Sequence, residues 1–203
     1  MYAVVENNNI TQFINYPKSI VIADVRYPAK IFTMWSQSEK EAIGIYEVIT
    51  DSTNYKDPAY YNNTNEQYAF ANGQVTKSWG TATAKRLEDE NAVDEDGNPV
   101  LEDGVQVINY GLKTEKKKIV KQQASNLLAP TDWYVVKATE VADYDIPANI
   151  LSFRADVRTK SNEMETMINN CTTVHELKAL YEYTEQEDGT ITRPLPEFPK
   201  EVI

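Results

Sequence analysis

The chain has 203 residues, 31 of them Asp or Glu against 20 Lys or Arg, a formal net charge of −11 and a pI near 4.6. Its apolar share of 41% suits one or two small domains with a thin or divided core and is too high for a disordered chain. So acidic a surface repels a phosphate backbone, so no nucleic-acid partner is expected, and no apolar run is long enough to span a membrane.

In chain order, Tyr2-Ala3-Val4-Val5-Glu6 and Ile10-Thr11-Gln12-Phe13-Ile14 flank three asparagines and read as a hairpin, because Asn tolerates positive φ. That start does not resemble a secretory leader. Ser19 to Ala23 is a short apolar segment with strand character. Ser36-Gln37-Ser38-Glu39 is a capping box: Ser36 accepts from the third helical amide and Glu39 reaches back. Trp35 precedes it as a staple, Gly44 ends the short helix in the left-handed region, and Ile45 to Ile49 alternates as a strand. Residues 50–65 are polar and loop-like. Tyr68 to Trp79 is a hairpin turning on Asn72-Gly73, the pair that supplies both positive-φ residues of a type I′ turn. Glu88 to Gly104 is acidic, with turn chemistry at Asp96-Gly97-Asn98-Pro99. Val105 to Tyr110 returns as a strand.

At Thr114 period two gives way to period 3.6. Glu115 to Ala129 reads as a helix, and Trp133 to Lys137 as a short strand or extended link. Pro147 then opens a long helix from a first-turn position, where its missing amide costs nothing. Ile150, Phe153, Val157, Met164, Met167 and Cys171 follow at spacings of 3, 4, 7, 3 and 4, a heptad-like seam that Lys160 interrupts. Two burials of this seam are open: a helical hairpin with 115–129, or pairing with copies of itself. Thr173-Val174-His175-Glu176 is a second capping box. Arg193 to Pro199 holds three prolines and reads as extended. The fold class is therefore α+β. Residues 1–113 form a β-rich platform with hairpins and one short helix, 114–183 a helical domain built on a hairpin, and 184–203 an extended Pro-rich C-terminal tail.

Little in the chain points to catalysis. One Cys and one His give no disulfide and too few ligands for the common zinc sites. Cys171 falls on an apolar seam and reads as a small buried hydrophobe. His175 sits in the first turn of a helix, where the macrodipole disfavours a cation. Asp94-Glu95-Asp96-Gly97 hints at a calcium loop, but an EF-hand would need an acid at 92 and Glu at 103, where Ala92 and Asp103 stand. It reads as a turn tip, with another kind of cation site as the alternative. Seven glycines leave little material for a phosphate loop. Lys116-Lys117-Lys118 with Lys121 reads as a solvated helix face. No catalytic residue, metal or cofactor is expected.

Thirteen Tyr against five Phe suits surfaces where one side packs and the other stays wet, either interfaces or exposed sheet faces. The candidate interface residues are Trp133, Tyr134, Phe153, Val157, Met164, Leu195 and Phe198. Trp133 and Tyr134 follow Pro130 and either close a seam between two domains or seat a neighbouring chain.

Two segments carry a family resemblance. Trp35-Ser36-x-x-Glu39-x-x-Ala42-Ile43-Gly44-Ile45 resembles a segment near the start of tail-appendage proteins of tailed bacteriophages. Leu128 to Trp133, followed by Ile146-Pro147 to Arg158, is similar to the helical region of small structural proteins of marine phages. The resemblance covers most of the chain except residues 88–104. It implies a virion component of the tail, baseplate or fibre-attachment region, assembled in the host cytoplasm, present in several copies and touching other virion proteins. A tail-fibre assembly chaperone is the alternative. The resemblance brings no catalytic residues with it.

Overall fold

The computed structural model describes residues 1–200, and the chain divides into two compact units, Met1–Thr83 and Ala84 onward. Both strands and helices are present, as expected of an α+β chain. The division does not fall at 113, where the period changes. The backbone amides of Leu112 and Lys113 donate to the carbonyls of Arg86 (3.0 Å) and Leu87 (3.1 Å), which ties the strands after residue 84 to the helix that follows.

The first unit is built on a five-stranded sheet. Its strands are β1 (Tyr2–Glu6), β2 (Asn9–Ile14), β5 (Ile45–Thr50), β7 (Gln67–Ala71) and β8 (Gln74–Ser78), in the order β2-β1-β5-β8-β7. Every pairing is antiparallel except β5 with β8, where Val48 lies opposite Val75. Both tight hairpins turn on the residues the sequence offers: Asn7 and Asn8 at φ 51° and 62°, Asn72 and Gly73 at 52° and 73°. Period two on β1 divides the core. Val4 faces Ile14, Ile20, Ile22, Ile31, Phe32 and Ile45; Ala3 and Val5 face Val75 on the other side. The sheet curls until its outer strands meet, with the Phe13 and Tyr68 rings 4.5 Å apart between centroids.

Smaller elements cover this sheet. The hairpin β3 (Ile20–Ile22) and β4 (Val25–Tyr27) turns on Ala23 and Asp24, both at positive φ. It is followed by a single turn, α1 (Ile31–Met34), and then by α2 (Gln37–Glu41), capped at Ser36 by both bonds of the expected box. Trp35 packs beside Ile43 against the core and edge-on to Tyr27. Gly44 sits at φ 83°, and a Cβ there would lie 2.7 Å from the carbonyl oxygen of Val5, so glycine is required twice over. Two two-residue strands, β6 (Tyr61–Asn62) and β9 (Thr83–Ala84), complete the elements up to the boundary.

The second unit begins with short ladders. These are β10 (Glu90–Asn91) with β13 (Ile108–Asn109), and β11 (Leu101–Glu102) with β12 (Val105–Gln106). The expected single strand 105–110 is thus two, broken at Val107. Its amide reaches Val100 O, while the Gln106 side chain donates to the carbonyls of Ala92, Val100 and Val107 at 2.8, 3.2 and 2.9 Å. Residues 90–109 are therefore paired around two turns, one at 94–98 and one at Asp103-Gly104. At the first of these turns the Asp94 carboxylate accepts the amide of Asn98, and then that of Asp96, which holds its pKa below the ordinary value. This is the turn tip the sequence suggests.

Gly111 then lies so close to the backbone of Leu87 and Glu88 that no Cβ fits. Helix α3 (Leu112–Leu128) runs antiparallel to α5 (Ala148–Asn170): Lys117 bonds Asn169, Lys121 pairs with Glu165, and Ala124 meets Phe153 and Val157. Of the expected α5 seam, Ile150, Phe153, Val157, Met164 and Cys171 are buried and only Met167 departs. Ile150, Arg154, Val157, Ser161, Met164, Ile168 and Cys171 are buried at alternating steps of four and three. Met167 and Lys160 are only half-buried, and Ile168 and Ser161 take their places. Pro147 is one residue earlier than predicted, at the N-cap.

After α5 comes α6 (Val174–Ala179), started by the Thr173–Glu176 capping box, and then the hairpin β14 (Thr184–Glu185) with β15 (Ile191–Thr192). The tail 184–203 is thus not simply extended; its last three residues lie outside the described residues. Leu195 is 2% exposed and its amide donates to Leu180 O at 3.0 Å, so the Pro-rich segment closes part of the unit's own core.

Candidate functional site

The sequence run Leu128-Ala129-Pro130-Thr131-Asp132-Trp133 forms a built corner. Pro130 has no amide to donate, so the hydrogen-bond ladder of α3 stops there and the chain tightens into a 3₁₀ turn, Ala129–Thr131. A second helix, α4 (Asp132–Glu140), leaves from that turn. The carbonyl of Leu128 accepts from the Thr131 hydroxyl (2.7 Å) and from Nη1 of Arg154 (3.1 Å). Thr131, fully buried, also accepts from the same Nη1, and Nη2 of Arg154 pairs with the Asp132 carboxylate at 2.8 Å. Arg154 is 7% exposed. One guanidinium thus ties a carbonyl, a hydroxyl and a carboxylate into a fixed fork, a geometry that Lys cannot reproduce. Asp132 also lies in the first turn of α4, where a negative charge is favoured.

The helix launched by this clasp has no buried residue. Trp133, Val135 and Val136 are 51%, 38% and 51% exposed. Tyr134 and Ala138 are half-buried, and the Trp133 and Tyr134 rings lie 3.8 Å apart. Successive residues on a helix are 100° apart, so these apolar groups surround α4 rather than mark one stripe. The expected strand at 133–137 is a correction: local β-propensity of Trp-Tyr-Val-Val yields to the corner that starts the helix.

The other candidate interface residues separate from Trp133 and Tyr134. Phe153, Val157, Met164 and Leu195 are 2%, 0%, 2% and 2% exposed, so their side chains are occupied inside the chain. Phe198 is half-buried against Ala124, Phe153 and Val157. As neighbour-facing groups Phe153, Val157, Met164 and Leu195 are corrected, because the α3–α5 pair and the returning tail already cover them, while Phe198 keeps part of its surface open. Arg154, which organises the site, was not singled out by sequence. Its signal was present in the seam register, where position 154 stands four residues after Ile150 and three before Val157.

Cys171 is buried and its Sγ approaches the carbonyl of Met167 at 3.4 Å; burial pushes its thiol pKa up, which disfavours the thiolate. His175 is exposed in the first turn of α6. Among the described residues there is no cluster of three or more His, Cys, Asp or Glu poised to hold a metal, and no helix is long and apolar enough to cross a membrane. Comparison with protein-family models, with curated proteins and with solved structures finds no match.

Proposed function

We propose that this protein is a structural component of a tailed-bacteriophage virion, at the tail, baseplate or fibre attachment, that works by fitting against neighbouring subunits and not by chemical turnover. The observation that carries the reading is α4. A nine-residue helix is marginal in water unless an apolar face packs, and this one exposes Trp133, Val135 and Val136 with no residue fully buried. Meanwhile the chain fixes its base through a buried arginine fork. A rigid mount for an uncovered apolar helix suits a docking element. The residues that build it, Leu128 to Trp133 and Arg154, lie within the segments that resemble phage structural proteins. Other virion proteins, with further copies of the chain, are its partners in this reading, and the particle is its location.

An exposed apolar helix also suits a tail-fibre assembly chaperone, which holds a partner and then leaves. Quantitative mass spectrometry of gradient-purified particles separates the two. A fixed molar ratio to other virion proteins supports the structural role; abundance in the lysate with absence from particles supports the chaperone.

A further inference from the structure

Along one flank of α3 runs a concavity of about 710 Å³ edged by Tyr110, Thr114, Lys117, Lys118 and Lys121. A second, of about 420 Å³, adjoins it through Lys121 and Ser125 and brings in Arg158 and Asn162 from α5. Four cations, Lys117, Lys118, Lys121 and Arg158, therefore edge one continuous groove. Lys121 is paired with Glu165 and Asp132 with Arg154, which leaves Lys117, Lys118 and Arg158 against Glu115. On a chain of net charge −11 this is a locally basic strip.

The same unit presents the complementary charge. From Leu87 to Leu112 there is no Lys or Arg at all. The hairpin tip exposes Asp94, Glu95, Asp96, Glu102 and Asp103. Between these acids Val93, Leu101 and Val105 are 57%, 59% and 69% exposed, a set of apolar groups open to solvent. A hairpin with apolar faces and an acidic rim fits a groove with a basic rim: burial supplies affinity, and the charges set register and exclude wrong partners.

We propose that the acidic hairpin of one copy, residues 93–105, docks along the α3 groove of a second copy. The occupant is a second copy because both halves of the match lie on this chain and both belong to the same compact unit. Reciprocal docking gives a two-fold dimer, and one-way docking gives a ring. The proposal rests on the reading of the protein as a multi-copy component and names the surfaces by which copies meet.

The test is sedimentation of the purified full chain. Wild type self-associates at about 50 mM salt, and the association weakens roughly tenfold or more by about 500 mM as the rim charges are screened. Lys117→Glu/Lys118→Glu and Glu95→Lys/Asp96→Lys each abolish it, and an equal mixture of the two variants restores it as a hetero-complex. Circular dichroism checks that each is folded, and the wild-type salt series stands if one is not. A wild type that stays monomeric, association indifferent to salt, or two folded variants that fail to complement overturns the proposal. A monomer that is nonetheless stoichiometric in particles defeats this inference alone; a self-associating protein absent from particles defeats the virion reading alone.

Discussion

Replacing Arg154 tests whether the corner at Pro130 is a mount or an incidental turn. Nη1 serves two neutral acceptors, the Leu128 carbonyl and the Thr131 hydroxyl, and Nη2 serves Asp132. Hydrogen bonds from a charged donor contribute about 1.5–3 kcal/mol each in net terms. The pair with Asp132, whose side chain is 59% exposed, is worth at most about 1 kcal/mol because water screens it. Against this stands the desolvation of the guanidinium, which an apolar replacement recovers. Leu128 O keeps the Thr131 hydroxyl in any variant, so no acceptor is left wholly bare. Arg154→Met, which preserves most of the volume, should therefore cost about 1–3 kcal/mol, and Arg154→Ala, which adds a cavity, about 3–5 kcal/mol. Arg154→Lys should fall near Met, because one ammonium cannot hold the fork. Chemical denaturation gives the size. Hydrogen exchange read by mass spectrometry gives the place: peptides covering 127–140 should lose protection before those of the sheet in the first unit. If Arg154→Met matches wild type in stability and α4 keeps its protection, the clasp is not what holds the helix.

Gly111→Ala should destabilise by about 1–3 kcal/mol or more, since any Cβ meets the Leu87–Glu88 backbone, and thermal melting checks it. Leu195→Ala should cost about 2–5 kcal/mol in the same assay, because the residue is a core group; a loss near zero would return the Pro-rich segment to the solvent. The Glu176 carboxylate accepts the amide and hydroxyl of Thr172, which holds its pKa below the ordinary range. Its contribution is present above that range and is lost as pH falls through the depressed value. The melting gap between wild type and Glu176→Gln should therefore be open at neutral pH and close in acid, and a gap that widens in acid would contradict the sign.

The first unit was the more legible in sequence because its turns are local chemistry. Asn7-Asn8 and Asn72-Gly73 specify positive φ by themselves, and Ser36 with Glu39 specifies a helix start within four residues. The turn at Ala23-Asp24 gave a weaker signal, since Asp tolerates positive φ but Ala rarely adopts it, and β4 was missed with it. In the second unit the decisive facts are non-local. Trp133 to Val136 has strand propensity, and the arginine arriving from α5 braces the corner at Pro130 from which the helix leaves. An arginine in a periodic pattern reads as surface, so Arg154 was left out of an α5 seam whose Ile150, Phe153, Val157, Met164 and Cys171 are buried as expected, and the centre of the site stayed hidden. Leu195 read as an interface residue on an extended tail because prolines flank it; its burial depends on Leu180 and the helices, which no short window contains.

If α4 is a contact surface and not part of the fold's own support, charging it should harm assembly and spare folding. Trp133→Glu/Val136→Glu places two charges on exposed positions of that helix and touches no buried group. The decisive measurement is the occupancy of this variant in purified particles, read by quantitative mass spectrometry beside its stability in solution. Stability should stay close to wild type while occupancy falls about tenfold or more, as when two apolar side chains are withdrawn from the centre of an interface. Wild-type occupancy of the folded variant would contradict a docking role for α4.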